Sequence, residues 1–353
     1  MTSPVRIGIL GAGSISDTHA RAAQSIPGAE VAAVYGQNVD KARALAERCG
    51  ATAYDSLERF LEHRPMEIVA IGSPSSLHAA EGAAAASRGL HVLVEKPLDI
   101  TTARADVLID AADRAGVKLG LFFQDRLKPD VVRMKALVDA GALGTPVLAS
   151  GRVKWFRSTQ YYGDSRWRGT FAYDGGGALI NQAIHTVDLL LHLAGPIASV
   201  EATTATRLHR IEVEDTVVAT LQFASGAIGV FEASTAVYPG YPRRLELTGS
   251  HGTMILDHDS LVAVDLTPEG QAVAGDVVAP APPAAPAASA QNAASATVSD
   301  ATPHRRIIED FIAAIRTGGE PICSGREGRR SIAVVEAIYA SARGGRRATI
   351  ESR

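Results

Sequence analysis

Over its first 123 residues the chain alternates short apolar, β-branched runs with alanine-rich segments of helical spacing, and no other feature restricts its fold as much. "VRIGIL" leads into a helix from about Ser14, "AEVAAVY" into "VDKARALAERCG", and "EIVAIG" into "SLHAAEGAAAASRG". "HVLVE" precedes "TTARADVLIDAADRAG", and "VKLGLFF" closes the set. A strand that is apolar at nearly every position needs cover on both faces, which a parallel sheet between helices provides. Right-handed crossovers then leave a doubly wound α/β domain, residues 1–123, as the economical topology.

After Gln124 the rhythm changes. One helix, "DVVRMKALVDAGALG", is followed by strands with no helices between them: "VLASGRVKWF", "ASVEATTATRLH", "DTVVATLQFASGAIGVFEASTA", "RRLELTGSHGTMILD" and "LVAVDL". Their "ASG" and "SHG" turns suit an antiparallel meander. Residues 124–353 are therefore expected to form an α+β domain with a large open, mainly antiparallel sheet. An open sheet face needs cover, and a second copy of the chain would supply it as a homodimer or homotetramer. Residues 271–300 are almost all Ala, Pro, Ser and small polar residues. They cannot bury enough to offset their ordering entropy, so a mobile loop is expected there. "HRRIIEDFIAAIRTGG" and "GREGRRSIAVVEAIYASARGG" read as two amphipathic helices, each ending at paired glycines.

The formal net charge of −3 argues against nucleic acid or an anionic membrane as the main partner. No apolar run approaches the roughly 20 residues that span a bilayer, and "MTSPVRIGILGAG" reads as a strand and turn, not an export signal. Two cysteines, Cys49 and Cys323, make neither a disulfide framework nor a metal spacing. A cytoplasmic protein without a metal site is expected.

Five stretches carry the chemistry. In "GILGAGSIS", Gly11 permits a tight turn and Gly13 lets the backbone approach a dinucleotide pyrophosphate at a helix N-terminus, where Ser14 and Ile15 follow. The third position of this Rossmann fingerprint is Ser16 instead of Gly or Ala. At the end of the second strand, "VYGQNVDKA" has Gly36 where a carboxylate would grip the adenosine ribose. With Gln37, Asn38 and Lys41 beside it, nothing repels a 2′-phosphate, so NADP is favoured slightly over NAD. "SPSSLH" brings Ser73, Pro74 and His78 to the same sheet edge as "HVLVEKPL", with Glu95 and Lys96. His78 either lines the cofactor site or caps its own helix. Gln124, just after the last strand of the domain, is a further candidate for the cofactor. In "GGGALINQAIHTVDLL", Asn181, His185 and Asp188 are four and three apart and would share one face of a helix.

"GAGSIS", "SPSSLH", "EKPL" and "GGGALINQAIHTVDLL", in this order and spacing, resemble the glucose–fructose oxidoreductase, inositol dehydrogenase and MocA family, as does the closing "EDFIAAIRTGGEP…EGRRSIAVVEAIYASA". The resemblance implies NAD or NADP in the N-terminal domain and hydride transfer at a ring carbon of a sugar, nucleotide sugar or cyclitol. It makes Lys96 and His185 the catalytic pair. It also sets Trp167 and Arg168 of "WRG" near cofactor and substrate, and gives Arg126 a family-like position of structural kind. "YY…WRGT…DGGGALINQ" looks most like branches acting on nucleotide sugars or on the C3 hydroxyl of pyranosides.

Oxidising a secondary alcohol needs a hydride acceptor, a base and a group that holds developing charge on oxygen. His185 is the candidate base and Lys96 the candidate ammonium. Many family members carry Asp four residues before the His, where this chain has Asn181; the amide either orients the ring or binds a substrate hydroxyl. The glycines are expected to let the chain pass close beneath substrate. Trp155, Arg157, Tyr161, Tyr162, Trp167 and Arg168 concentrate before that helix aromatic faces that stack on sugar or nicotinamide rings and guanidinium forks that suit hydroxyls, carboxylates or phosphates. Two other classes compete with the dehydrogenase: a glycosidase that uses bound NAD without net redox change, and a cofactor-binding sensor that has lost its chemistry.

Overall fold

The computed structural model describes residues 4–163, 168–275 and 300–351. Trp167 and most of the expected loop, residues 276–299, lie outside the described residues. The chain divides into two compact units. One holds residues up to Gln124 and, from the far end of the chain, those up to Arg329; the other runs from Asp125 and takes back the chain from Arg330.

In the N-terminal unit, β1 (Val5–Leu10), β2 (Ala29–Tyr35), β3 (Thr52–Tyr54), β4 (Ile68–Ile71), β5 (His91–Val94) and β6 (Leu119–Leu121) form one sheet in the order β3-β2-β1-β4-β5-β6. Every neighbouring pair is parallel. This is the dinucleotide-binding order, with its switch point between β1 and β4, so ligands belong at the carboxyl ends of these strands. All four residues of β4 are buried, as cover on both faces requires. The second domain is not the uninterrupted 124–353 expected. Helix Thr302–Thr317 packs on helix Ser14–Gln24, and its apolar stripe of Ile307, Ile308, Phe311 and Ile312 is buried. A Cβ on Gly120 of β6 would meet the Phe311 ring at 2.7 Å, so the glycine is what lets this helix close on the sheet.

The C-terminal unit holds β7 (Pro146–Lys154), β8 (Ile197–Ala205), β9 (Thr216–Phe223), β10 (Ile228–Ser234), β11 (Arg244–Gly249), β12 (Gly252–Asp257), β13 (Ser260–Leu266) and β14 (Ala348–Thr349). They form one sheet, β13-β12-β11-β7-β10-β9-β8-β14, antiparallel throughout except for β7 beside β10. Helix Ile184–Ala194 lies on one face. A Cβ on Gly151 of β7 would come within 3.0 Å of Leu190 and 3.1 Å of Thr186. The other face exposes Leu148, Val218, Ile228 and Val230. The expected loop also begins later than residue 271, because Pro268–Ala274 is a helix capped by the Thr267 side chain.

One helical expectation needs correction. Asn181 is not in straight α-helical register with His185, because Ala178–Ala183 forms a π-helical turn before the α-helix begins at Ile184. Glu214 ties down the start of this turn. Its buried carboxylate accepts the N–H groups of Gly177 and Leu179, both at 2.9 Å, and the Tyr339 hydroxyl at 3.0 Å. The glycines pass close to protein: a Cβ on Gly177 would strike the Glu214 carbonyl, and one on Gly176 the Tyr339 hydroxyl.

Candidate active site

The cofactor half lies in the N-terminal unit. Gly11 has φ +120, and a Cβ there would meet Ser16 Oγ and the Gly72 carbonyl, so the turn depends on glycine. A Cβ on Gly13 would meet nothing within 4 Å. Gly13 is the N-cap of helix Ser14–Gln24 and offers no side chain to its amides. Gly13 and Ser14 are exposed, with Ile15 half-buried. A bare helix N-terminus facing open space fits a pyrophosphate. The Gln124 Oε1 atom is buried and finds no donor among the described residues, so it too can serve a ligand.

At the end of β2, Gly36 is buried against the turn, with Ala12 Cβ 2.8 Å and Ala12 N 3.1 Å from a Cβ added there. Gln37 and Lys41 are exposed, while Asn38 caps the following helix by accepting the Lys41 N–H at 3.0 Å. Restoring the missing carboxylate is thus expected to fail as a route to NAD. Gly36→Asp should weaken both NAD and NADP by about tenfold or more, the usual cost of overpacking being ~1–3 kcal/mol, and calorimetric titration checks it. Tighter NAD binding would contradict this packing argument.

The "EKP" turn after β5 is held from several sides. The Lys96–Pro97 peptide is cis. His78 is buried, its ring nitrogens 2.7 Å from the Pro97 carbonyl and 3.0 Å from that of Ser73. It therefore ties the two ligand-edge loops together, a third role beside the two expected. Asp99, which the sequence did not single out, accepts the Ala79 N–H at 2.9 Å and Arg104 Nε at 2.6 Å. Ser73 donates to Glu81 at 2.5 Å, and burial pushes the Glu81 carboxyl up to about 7 despite that bond. Pro74 and Lys96 are half-buried, whereas Glu95 turns into the interior.

The residues expected to meet substrate, Lys96 apart, lie in the C-terminal unit. His185 is 9% exposed and its Nδ1 lies 3.5 Å from Asp125 Oδ2. Asp125 in turn accepts Arg243 at 2.6 Å and pairs with Lys128 at 2.7 Å, and both cations also contact Asp259. Burial works to raise the Asp125 carboxyl, but Arg243, Lys128 and His185 outweigh it and hold it well below the ordinary range. A carboxylate does stand beside His185, but it belongs to a distant turn and not to the residue four before it. One residue along that turn, Arg126 meets Asp188 at 2.8 and 2.5 Å, both side chains buried. This explains the polar row in an apolar helix: His185 and Asp188 each face an ionic partner on residues 125 and 126.

Asn181 is half-buried. Beside it, Arg157 donates to Gln182 Oε1 at 2.7 Å, and Gln182 donates to the Tyr161 hydroxyl at 3.1 Å. The Arg157 guanidinium sits 5.3 Å from the Trp155 ring and 5.5 Å from that of Tyr161, with Arg168 on Tyr161 at 4.3 Å. Burial lowers the Arg157 guanidinium from its ordinary value and pushes the Tyr162 hydroxyl up to about 12. Arg157, Tyr161 and Arg168 are thereby brought together. Gln182 and Glu214 were missed; the one signal for Glu214 was the acid pair "ED" leading into β9.

Residues 5–123 match the family described as an oxidoreductase family with an NAD-binding Rossmann fold, and residues 131–255 match the GFO/IDH/MocA C-terminal domain. The WlbA dehydrogenase of Bordetella pertussis, solved with NADH and UDP-GlcNAcA, is 30% identical over 99% of each chain, with a TM-score of 0.86. The chain belongs to the GFO/IDH/MocA oxidoreductase family. D-apiose dehydrogenase of Paraburkholderia graminis is 28% identical over 98% of this chain and 89% of its own. D-xylose 1-dehydrogenase (NADP(+)) 2 of Haloferax volcanii is 29% identical over 96% of this chain and 97% of its own. The family member described here is thus an NAD(P)-binding oxidoreductase, and among its described residues no helix is long and apolar enough to cross a membrane.

Proposed function

We propose that this oxidoreductase moves hydride between nicotinamide and a ring carbon, C3 in the first instance, of an acidic or nucleotide-linked pyranose. The observation that carries the reading is the buried chain from His185 through Asp125 to Arg243, in a chain that also carries the "EKP" lysine. Bound nicotinamide supplies the hydride acceptor. His185 takes the hydroxyl proton, and Asp125 orients its ring and offsets the charge it gains. Lys96 holds the alkoxide character on oxygen. Arg157 and Arg168, both stacked on Tyr161, suit a carboxylate or diphosphate on the sugar. Support for an acidic nucleotide sugar comes from the Bordetella relative crystallised with one. Asn181 is assigned to a substrate hydroxyl, since Asp125 already serves the imidazole.

The test is a panel of UDP-linked uronates, free uronates, neutral pyranosides and cyclitols, followed at 340 nm with NAD and with NADP. Cofactor reduction with an acidic or nucleotide-linked sugar supports the proposal. Activity confined to neutral sugars or cyclitols removes the role of the two arginines. Aglycone release without net cofactor reduction indicates the glycosidase, and silence with cofactor bound indicates the sensor. Equal efficiency with NAD and NADP would remove the slight preference for NADP.

We also propose that a second copy covers the open sheet face. Leu148 and Ile228 are paired across β7 and β10, and Ile228 is 61% exposed. An exposed apolar patch of this kind on a sheet face suits association. Ile228→Lys combined with Val230→Lys is expected to turn the assembly into monomers in analytical ultracentrifugation, with the circular dichroism spectrum unchanged. An unaltered sedimentation coefficient would place the interface elsewhere.

A further inference from the structure

His19, Glu95 and His304 converge inside the N-terminal unit, from helix Ser14–Gln24, the end of β5 and helix Thr302–Thr317. They are 0%, 6% and 1% exposed. Nε2 of His19 and Nε2 of His304 lie 3.0 and 3.4 Å from the same oxygen, Oε1 of Glu95. The other oxygen accepts the backbone N–H of Lys96 at 3.1 Å. The Phe122 ring stacks on His19 at 4.2 Å and tilts against His304 at 5.5 Å, fixing both imidazoles.

A divalent cation is the obvious alternative, because the three ligand atoms lie within 4.8 Å of one another. The proton pattern opposes it. A histidine bound through Nε2 carries its proton on Nδ1 and donates it to an acceptor. Here both Nδ1 atoms are buried with no hydrogen-bond partner among the described residues, so a metal would strand two N–H donors. With the protons on Nε2, both rings donate to Glu95 and only lone pairs go unmatched. Burial alone would raise the Glu95 carboxyl, yet the bonds from His19 and His304 hold it well below its ordinary range. Burial keeps the His19 ring below its own ordinary value, in keeping with a neutral donor.

We infer that His19 and His304 are positioning residues for Lys96: by fixing the Glu95 carboxylate they anchor the Lys96 amide and so the base of the reactive side chain. The inference rests on the role proposed for Lys96. It also links the cofactor-binding helix, the turn after β5 that bears Lys96 and a helix from the far end of the chain through one carboxylate.

His304→Leu removes one donor, whereas His304→Gln keeps an N–H near the place of Nε2. Hydrogen–deuterium exchange at the peptide containing Lys96 is expected to quicken about threefold in His304→Leu and to stay near wild type in His304→Gln. With the substrate found in the sugar panel, kcat should fall about tenfold in His304→Leu at unchanged KM, and His304→Gln should restore most of it. Should His304→Leu not fold, His304→Asn, whose amide stops short of the carboxylate, gives the same comparison. Lys96→Met is measured alongside. A fully active Lys96→Met removes the role of Lys96 itself, while an inactive Lys96→Met beside a fully active His304→Leu overturns only the positioning. Unchanged exchange in His304→Leu also overturns it, as does one equivalent of transition metal in the purified protein whose removal by chelator lowers kcat.

Discussion

Lys96→Met is expected to lower kcat by roughly 10³-fold, as loss of a charged donor at a developing oxyanion does, while NADH binds within a few-fold of wild type. Methionine keeps the length of the aliphatic stem and deletes the ammonium. The backbone N–H that Lys96 gives to Glu95 is unaffected, so the turn should keep its place. The loss should therefore appear in kcat and in kcat/KM alike, the pattern of an interaction made in the transition state. Stopped-flow measurement of cofactor reduction checks the first part, and fluorescence titration of NADH the second. Turnover within threefold of wild type, with cofactor bound, would leave Lys96 as an ordinary lysine on a sheet edge.

The parts of the fold legible in the sequence were those written in local pattern. A strand covered on both faces must be apolar at successive positions, so β1, β4 and β5 announced the parallel sheet. Alternation from Thr216 to Ser234 about an "ASG" turn announced the hairpin. Motif spacing brought Gly11, Gly13, Lys96 and His185 forward for the same reason. What stayed hidden depends on which residue stands opposite which. Asp125 and Lys128 meet Arg243 and Asp259, over a hundred residues away, and Asp125 in turn contacts His185. Periodicity reports that a face is buried, never the partner across it. Asn181 drew attention because it is near His185 in sequence, and the π-helical turn that holds it is tied at its start by Glu214, another long-range contact. Helix Thr302–Thr317 showed its amphipathic stripe, but nothing in the stripe told which unit would cover it.

Asp125→Asn should reduce kcat about a hundredfold, because an amide beside Nδ1 can stabilise the wrong tautomer and offers no charge to a protonated ring. It should also cost about 3 kcal/mol of stability, since Arg243 is buried and loses its 2.6 Å partner. The two effects can be separated. Asp259 contacts the same Arg243 and Lys128, and no ion pair joins it to His185 among those the structure describes. Asp259→Asn is therefore expected to lower stability by a similar amount and leave kcat within about threefold. The stability term has a definite pH signature. Asp125 is ionised in the folded protein to well below its ordinary value of 3.8, so its contribution is fully present above that value and is lost as pH falls toward the folded value. The gap in urea midpoint between wild type and Asp125→Asn should consequently hold steady near neutrality and narrow in acid. If Asp259→Asn damages kcat as severely as Asp125→Asn, the carboxylate at position 125 acts through the charge cluster as a whole, and its assignment as the group that orients His185 fails.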